Sequence, residues 1–217
     1  MKILIICSNP VSSLFGKKVP FEDTESVFAN EIPAAGFAGF DCVIDTEFEE
    51  YPERISSYKV SLIPVLIGSV IYSLKELQAE QSPIARFNHW PVFMQRNCIE
   101  FATKQPQIFQ ELFNQWQVPF YETADVPGFV SARTVSMIVN EAFMVKQEHI
   151  STAIEIDTAM KLGTGYPLGP FEWCTEIGAD RIVQLLQKMA TEDQRYHPAV
   201  SLLSYKANHS HGSSPLY

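Results

Sequence analysis

The feature that most constrains this chain is a change of pattern at Val126-Pro127-Gly128. Upstream, short apolar runs alternate with polar, helix-like stretches; downstream, apolar residues recur at helical spacing. Residues 2–7 are a continuous apolar run of strand length, the pattern of a strand buried on both faces. Residues 41–46 and 60–67 repeat it, although Pro64 removes a ladder donor inside the third run. Residues 84–88 and 98–103 read as further strands, residues 107–116 as a helix and residues 118–122 as a last strand. This alternation predicts an α/β fold with a mostly parallel sheet.

The downstream part predicts an all-α domain. Residues 129–148 contain no glycine or proline and set Val135, Ile138, Val139, Ala142 and Phe143 at helical spacing. Thr152 and Glu155 form a capping box that opens a second helix through Leu162, where Gly163 is expected to end it. The turn Gly165-Tyr-Pro-Leu-Gly-Pro170 then precedes a third helix over residues 171–191. The expected division is a sheet domain over residues 1–124, a helical domain over 125–207 and a disordered tail over 208–217.

Composition narrows the function. A length of 217 residues, 46% of them hydrophobic, is enough to bury a sizeable core. A formal charge of −9, with no basic stripe, argues against a nucleic-acid partner, because phosphate contacts need clustered Lys and Arg. Cys7, Cys42, Cys98 and Cys174 lie in apolar stretches outside any ligand spacing and read as reduced, buried thiols. His209 and His211 lack further ligands, so no metal is expected. The opening run stops at Ser8-Asn9-Pro10 without a small-residue cleavage site and reads as a strand. No apolar run reaches membrane-spanning length, so the expectation is a soluble, cytoplasmic chain.

Two long motifs name a relative. Asp125-Val-Pro-Gly-Phe-Val-Ser-Ala-Arg133 followed by Asn140-Glu-Ala-Phe143 resembles D-x-P-G-F-(I/V)-x-N-R…N-E-A of the 3-hydroxyacyl-CoA dehydrogenases. Ile156-Asp-Thr-Ala-Met-Lys-Leu-Gly-Thr-Gly-Tyr-Pro-Leu-Gly-Pro-Phe-Glu172 is similar to that family's I-D-x-A-M-x-x-G-x-G-x-P-M-G-P-F-E. Upstream the likeness thins. Phe40-Asp-Cys-Val-Ile-Asp-Thr-Glu-Phe-Glu-Glu50 is similar to A-D-L-V-I-E-A-x-F-E-D, and Ser73-Leu-Lys-Glu-Leu77 to the helix after the N-T-S-S segment. The resemblance implies a Rossmann-like sheet domain, an all-α dimerisation domain, NAD as cofactor, an acyl-CoA ligand and a homodimer formed through the helices.

The departures fall on the working positions. A dinucleotide fingerprint needs G-x-G-x-x-G after the first strand, so that backbone amides approach the pyrophosphate at a helix N-terminus. Residues 7–12 hold no glycine; Ser8, Asn9 and Ser12 occupy the corresponding cofactor positions, and Ser8-Asn9-Pro10 reads as a helix start. About thirty residues separate Cys7 from Asp41, which leaves room for one helix and one short strand. Phe21-Glu-Asp23 is either a remnant of the acidic ribose-binding strand end or a solvated acidic face.

The chemistry needs a base for the 3-hydroxyl proton and a carboxylate to orient it. Phe87 stands at the family's histidine position, His89 lies two residues on, and Glu100 falls near the expected carboxylate. On a regular strand Phe87 and His89 share a face. His89 is therefore either the base, paired with Glu100, or a structural histidine beside Trp90. The N-T-S-S segment becomes Gly68-Ser-Val-Ile71, which leaves Ser69 as the substrate-binding hydroxyl, and the motif asparagine becomes Ala132. Arg133 reads as a partner for an acid, and Glu172 as a charge at a helix N-terminus. Two functions compete: a catalytically impaired or inactive family member that keeps the dimer fold, and an active NAD-dependent dehydrogenase using His89 and Glu100.

Overall fold

The structure is a computed structural model that describes residues 1–10 and 13–209. It divides into two compact units, the first ending at Phe129 and the second starting at Val130.

The first unit carries β1 (Lys2–Ile6), β2 (Ser13–Leu14), β3 (Lys17–Lys18), β4 (Glu25–Ala29), β5 (Cys42–Asp45), α1 (Ile55–Lys59), β6 (Val65–Gly68), β7 (Ile84–Phe87), α2 (Pro91–Met94), β8 (Ile99–Thr103), α3 (Pro106–Gln115) and β9 (Phe120–Glu122). Seven strands form one sheet in the order β4-β1-β5-β6-β7-β8-β9. Every pair is parallel except β7 with β8. The chain alternates faces residue by residue. Ile3, Ile5, Ile44, Leu66 and Phe87 enter a core with Phe109, Phe113 and Trp116. Leu4, Ile6, Val43, Val65 and Ile67 enter the opposite core with Phe48 and Tyr58. Burial on both sides is why these strands read as unbroken apolar runs.

Pro64 is accommodated because β6 begins one residue later. Its carbonyl accepts the Val43 amide at 3.0 Å, a bond that needs no N–H from proline.

Between β1 and β5 the expected helix is absent among the described residues. In its place stands the β2–β3 hairpin, followed by strand β4. The hairpin's two central residues, Phe15 and Gly16, both have positive φ (52° and 69°), the signature of a tight primed turn rather than a helical one. Over residues 73–77 the chain forms a turn, from residue 74 on, and not the expected helix. The Ser73 amide and hydroxyl bond Glu76 Oε2, while the Leu74 and Lys75 amides bond the Asp125 carboxylate at 3.1 and 3.3 Å.

The second unit holds α4 (Ser131–Gln147), α5 (Ala153–Thr164), α6 (Pro170–Ile177), α7 (Ala179–Ala190) and α8 (Val200–His209). Val135, Val139, Ala142 and Phe143 line the buried face of α4. The capping box forms as the sequence requires, with the Glu155 amide on the Thr152 hydroxyl and the Thr152 amide on the Glu155 carboxylate. Two boundaries differ from expectation. Helix α5 continues through Gly163 and ends at Gly165, which takes the left-handed conformation (φ 71°). The helix expected over residues 171–191 is two helices, because Gly178 sits at φ 97°, ψ 126° between them. Among the described residues no helix is long and apolar enough to cross a membrane.

Candidate functional site

In open α/β sheets, ligands bind beyond the carboxyl ends of the strands, at the point where strand order reverses. Here that point is the end of β1, flanked by β4 and β5. Ser8 lies there, and its donors are engaged. Its amide donates to Glu47 Oε1 at 2.6 Å and its hydroxyl to Glu47 Oε2 at 2.9 Å. The Glu47 amide in turn donates to Asp45 Oδ1 at 2.9 Å. Asp45 is fully buried, receives the Tyr58 hydroxyl at 2.7 Å and lies 3.3 Å from Arg54 Nη1. Burial pushes the Asp45 carboxyl up, opposed by bonds from Tyr58, the Glu47 amide and Arg54.

A crevice of about 540 Å³ opens beside this cluster, lined by Ser8, Asn30, Glu31, Tyr51, Glu53 and Arg54. Among these residues the cation is Arg54, whose guanidinium serves Asp45, the Asn30 carbonyl and the face of the Tyr51 ring. Asn9 is exposed, and Ser12 lies outside the described residues. These residues do not fit a dinucleotide pyrophosphate. The glycines are missing, a hairpin replaces the helix whose N-terminus would face the phosphates, and the Ser8 amide already holds a carboxylate.

The acidic strand end also lies elsewhere than Phe21-Glu-Asp23. That segment precedes β4, and Phe21 stacks on Trp116 at 4.6 Å. Residues 30 and 31 follow the carboxyl end of β4, so Glu31 is the acid that this strand end brings to the crevice, which Glu53 also lines.

The ends of β6 and β7 place Ser69 and His89, and the start of β8 places Glu100. Ser69 is fully buried, and its hydroxyl donates to the Tyr72 carbonyl at 2.9 Å. His89 and Glu100 are both buried. The Asn88 amide donates to Glu100 Oε2 at 2.9 Å. His89 stands instead with Nε2 3.6 Å from Glu49 Oε2, its ring 6.5 Å from that of Phe87. Glu49 Oε1 accepts the amides of Val70 and Ile71, both at 2.5 Å. A β-carbon at Gly68 would lie 2.8 Å from His89 Cβ, so the imidazole stands where a side chain at 68 would project. Arg86, fully buried in β7, binds Asp125 at 2.6 Å, the Ser69 and Val126 carbonyls, and the face of Phe129.

In the second unit the motif residues fasten helices. The Asn140 amide donates to the His197 carbonyl at 3.0 Å, and its oxygen accepts the Ala199 amide at 2.7 Å. Asp157 accepts the Phe171 and Glu172 amides at the start of α6, at 2.8 and 3.3 Å. Glu172 binds Lys161 at 2.5 Å and accepts the Gly169 amide at 2.8 Å; these bonds, the Lys161 one first, pull its carboxyl below the ordinary range. Ala132 is fully buried. Arg133 lies over the Tyr196 ring at 5.2 Å, with Nε 3.1 Å from Met189 Sδ. It borders an apolar groove of about 590 Å³ lined by Met137, Ile138, Val145, Ile156 and Met160.

Sequence reasoning missed Glu47, Glu49 and Asn88. Glu47 carried a signal: a polar residue two positions after a strand-end Asp is the pattern of a side chain capping the turn. Asn88 carried none apart from lying beside His89.

Comparison with known proteins places the helical part. The family described as "3-hydroxyacyl-CoA dehydrogenase, C-terminal domain" matches residues 128–213. The 3-hydroxyadipyl-CoA dehydrogenase of Escherichia coli (strain K12) is 42% identical over 88 residues, 40% of this chain and 18% of that protein. The mitochondrial hydroxyacyl-coenzyme A dehydrogenase of Homo sapiens is 36% identical over 91 residues, 41% of this chain and 29% of that protein. The chain thus matches less than a third of the length of either relative. Among solved structures, (S)-3-hydroxybutyryl-CoA dehydrogenase from Ralstonia eutropha shares the fold at TM-score 0.68 and 23% identity, over 85% of this chain and 70% of that one. The 3-hydroxybutyryl-CoA dehydrogenase from Escherichia coli K12 gives TM-score 0.58 and 27% identity, over 67% of this chain and 32% of that one. Residues 128–213 thus match the C-terminal domain of the 3-hydroxyacyl-CoA dehydrogenases, and the chain, with its seven-stranded, mostly parallel sheet upstream, shares the fold of solved dehydrogenases of that family.

Proposed function

We propose that this protein is a 3-hydroxyacyl-CoA dehydrogenase-like member that does not carry out NAD-linked hydride transfer, and that its helical unit serves as a dimer-forming, acyl-CoA-accommodating module. The observation that carries this reading is the partner of Glu100. A dehydrogenase of this kind needs an imidazole oriented by that carboxylate to take the 3-hydroxyl proton. Glu100 Oε2 accepts the amide of Asn88, which does not titrate near neutral pH, and His89 Nε2 stands 3.6 Å from a different carboxylate, Glu49. The ill-fitting cofactor position at the end of β1 supports the same reading. The apolar groove along α4 and α5 offers a face for a second copy.

The test is NADH oxidation with acetoacetyl-CoA by the purified chain. No rate above background is expected, and a robust rate abolished by Glu100→Gln overturns the reading. A second reading has one observation in its favour: His89 and Glu49 make a buried imidazole–carboxylate pair at the ends of β5 and β7. On that reading the chain is an NAD-dependent dehydrogenase in which His89 acts as base, oriented by Glu49. It requires an activity that Glu49→Gln removes and Glu100→Gln leaves in place.

A further inference from the structure

We infer that Glu47 is an internal stand-in for a ligand phosphate, and is the residue that makes the crevice at the end of β1 reject phosphate-bearing ligands. The inference deepens the reading that the chain does not use a dinucleotide, and rests on it. The turn just beyond the central strand of a doubly wound sheet is where such folds receive a pyrophosphate on backbone amides. Here the Cys7 amide is taken by the Ala29 carbonyl at 2.9 Å, and the donors that follow are the amide and hydroxyl of Ser8, two residues past β1. A carboxylate and a phosphate make the same demand on such donors, since each accepts charge-assisted bonds through two oxygens. Glu47 meets that demand with both oxygens, at 2.6 and 2.9 Å.

Three features hold it there. Its own amide is tied to Asp45 at 2.9 Å, and Asp45 is locked by Tyr58 and Arg54, so the turn that presents Glu47 is fixed. The contact is intramolecular, so an incoming anion competes with a group held at high effective concentration. Displacing Glu47 would leave its charge in the crevice beside Glu31 and Glu53, where a phosphate would meet repulsion from all three. Arg54, the cation in the lining, offers no relief because Asp45 already balances it. The crevice is thereby left to ligands that carry no phosphate.

The test uses the full chain with Glu47→Ala and Glu47→Gln. Inorganic pyrophosphate and NAD are titrated by calorimetry, and the Ser8 amide resonance is followed during the pyrophosphate titration. Wild type is expected to give no saturable heat with either probe. Glu47→Ala is expected to bind pyrophosphate at least about tenfold more tightly than wild type, with the Ser8 amide moving on titration. Glu47→Gln, which loses the charge but keeps an acceptor oxygen, is expected to fall between them. If Glu47→Ala does not fold, Glu47→Gln decides alone. Folded variants that bind pyrophosphate no better than wild type, with Ser8 unmoved, overturn the inference and leave the absence of dehydrogenase activity standing. NAD binding with turnover by wild type overturns that absence instead.

Discussion

At the scale of single residues, the motifs that identify the family do packing work. Asp125 opens the first motif, and its carboxylate neutralises Arg86, which is fully buried in β7. Burial alone pulls the Arg86 guanidinium down, and the Asp125 charge is the main opposing influence. Asp125→Asn would leave that cation uncompensated, and is expected to destabilise the fold by about 3–5 kcal/mol in denaturant unfolding. A change within experimental error would mean that water or another acid serves Arg86. Gly169 tells the same story in the second motif. A β-carbon there would collide with the Asp157 carboxylate that caps α6. Gly169→Ala is expected to cost about 1–3 kcal/mol, seen as a lowered midpoint in thermal unfolding. Gly68 and His89 form a comparable pair, in which the absence of a side chain at 68 admits the imidazole.

At the scale of elements, what the sequence disclosed follows from how local each signal is. The strands buried on both faces, β1, β5 and β6, were legible because burial on both sides leaves a continuous apolar run. The Thr152 capping box was legible because its two partners lie three residues apart. The β2–β3 hairpin was not, since strands of two residues show no periodicity and Ser8-Asn9-Pro10 reads locally as a helix start. The break at Gly178 was missed because a single glycine inside a helical pattern is ambiguous until its φ is known. The carboxylate on Ser8 was invisible for another reason: the contact joins residues 39 apart, so spacing does not announce it.

The pairing of α5 with α6 yields a pH prediction. The Lys161 ammonium and the Gly169 amide lower the Glu172 pKa in the fold. A depressed carboxyl pKa contributes stability that is full above the unfolded value, about 4.3, and is lost as pH falls through the folded one. Glu172→Gln is therefore expected to be less stable than wild type at neutral pH, with the gap closing below about pH 4. A gap independent of pH would assign the role of Glu172 to packing.

At the scale of the whole molecule, the two units use their polar residues differently. The helical unit retains the residues that lock its helices together, with Asn140, Asp157, Gly169 and Glu172 all holding backbone or charge partners. The sheet unit engages the acids at its carboxyl edge with partners of its own. Glu47 lies on Ser8, Glu49 on the amides of Val70 and Ile71, and Asn88 on Glu100. A dimer formed through the helical unit is expected by light scattering at micromolar concentration, with a charged substitution at Ile138 in the groove shifting it towards monomer. A wild-type monomer under those conditions contradicts that assignment.

The central proposal is that the edge of the sheet does not support NAD-linked chemistry. Following NADH absorbance with acetoacetyl-CoA and the purified wild-type chain tests it most directly. The expected result is a rate indistinguishable from the protein-free control across a range of NADH concentrations. Saturable NADH oxidation that requires Glu100 would contradict it.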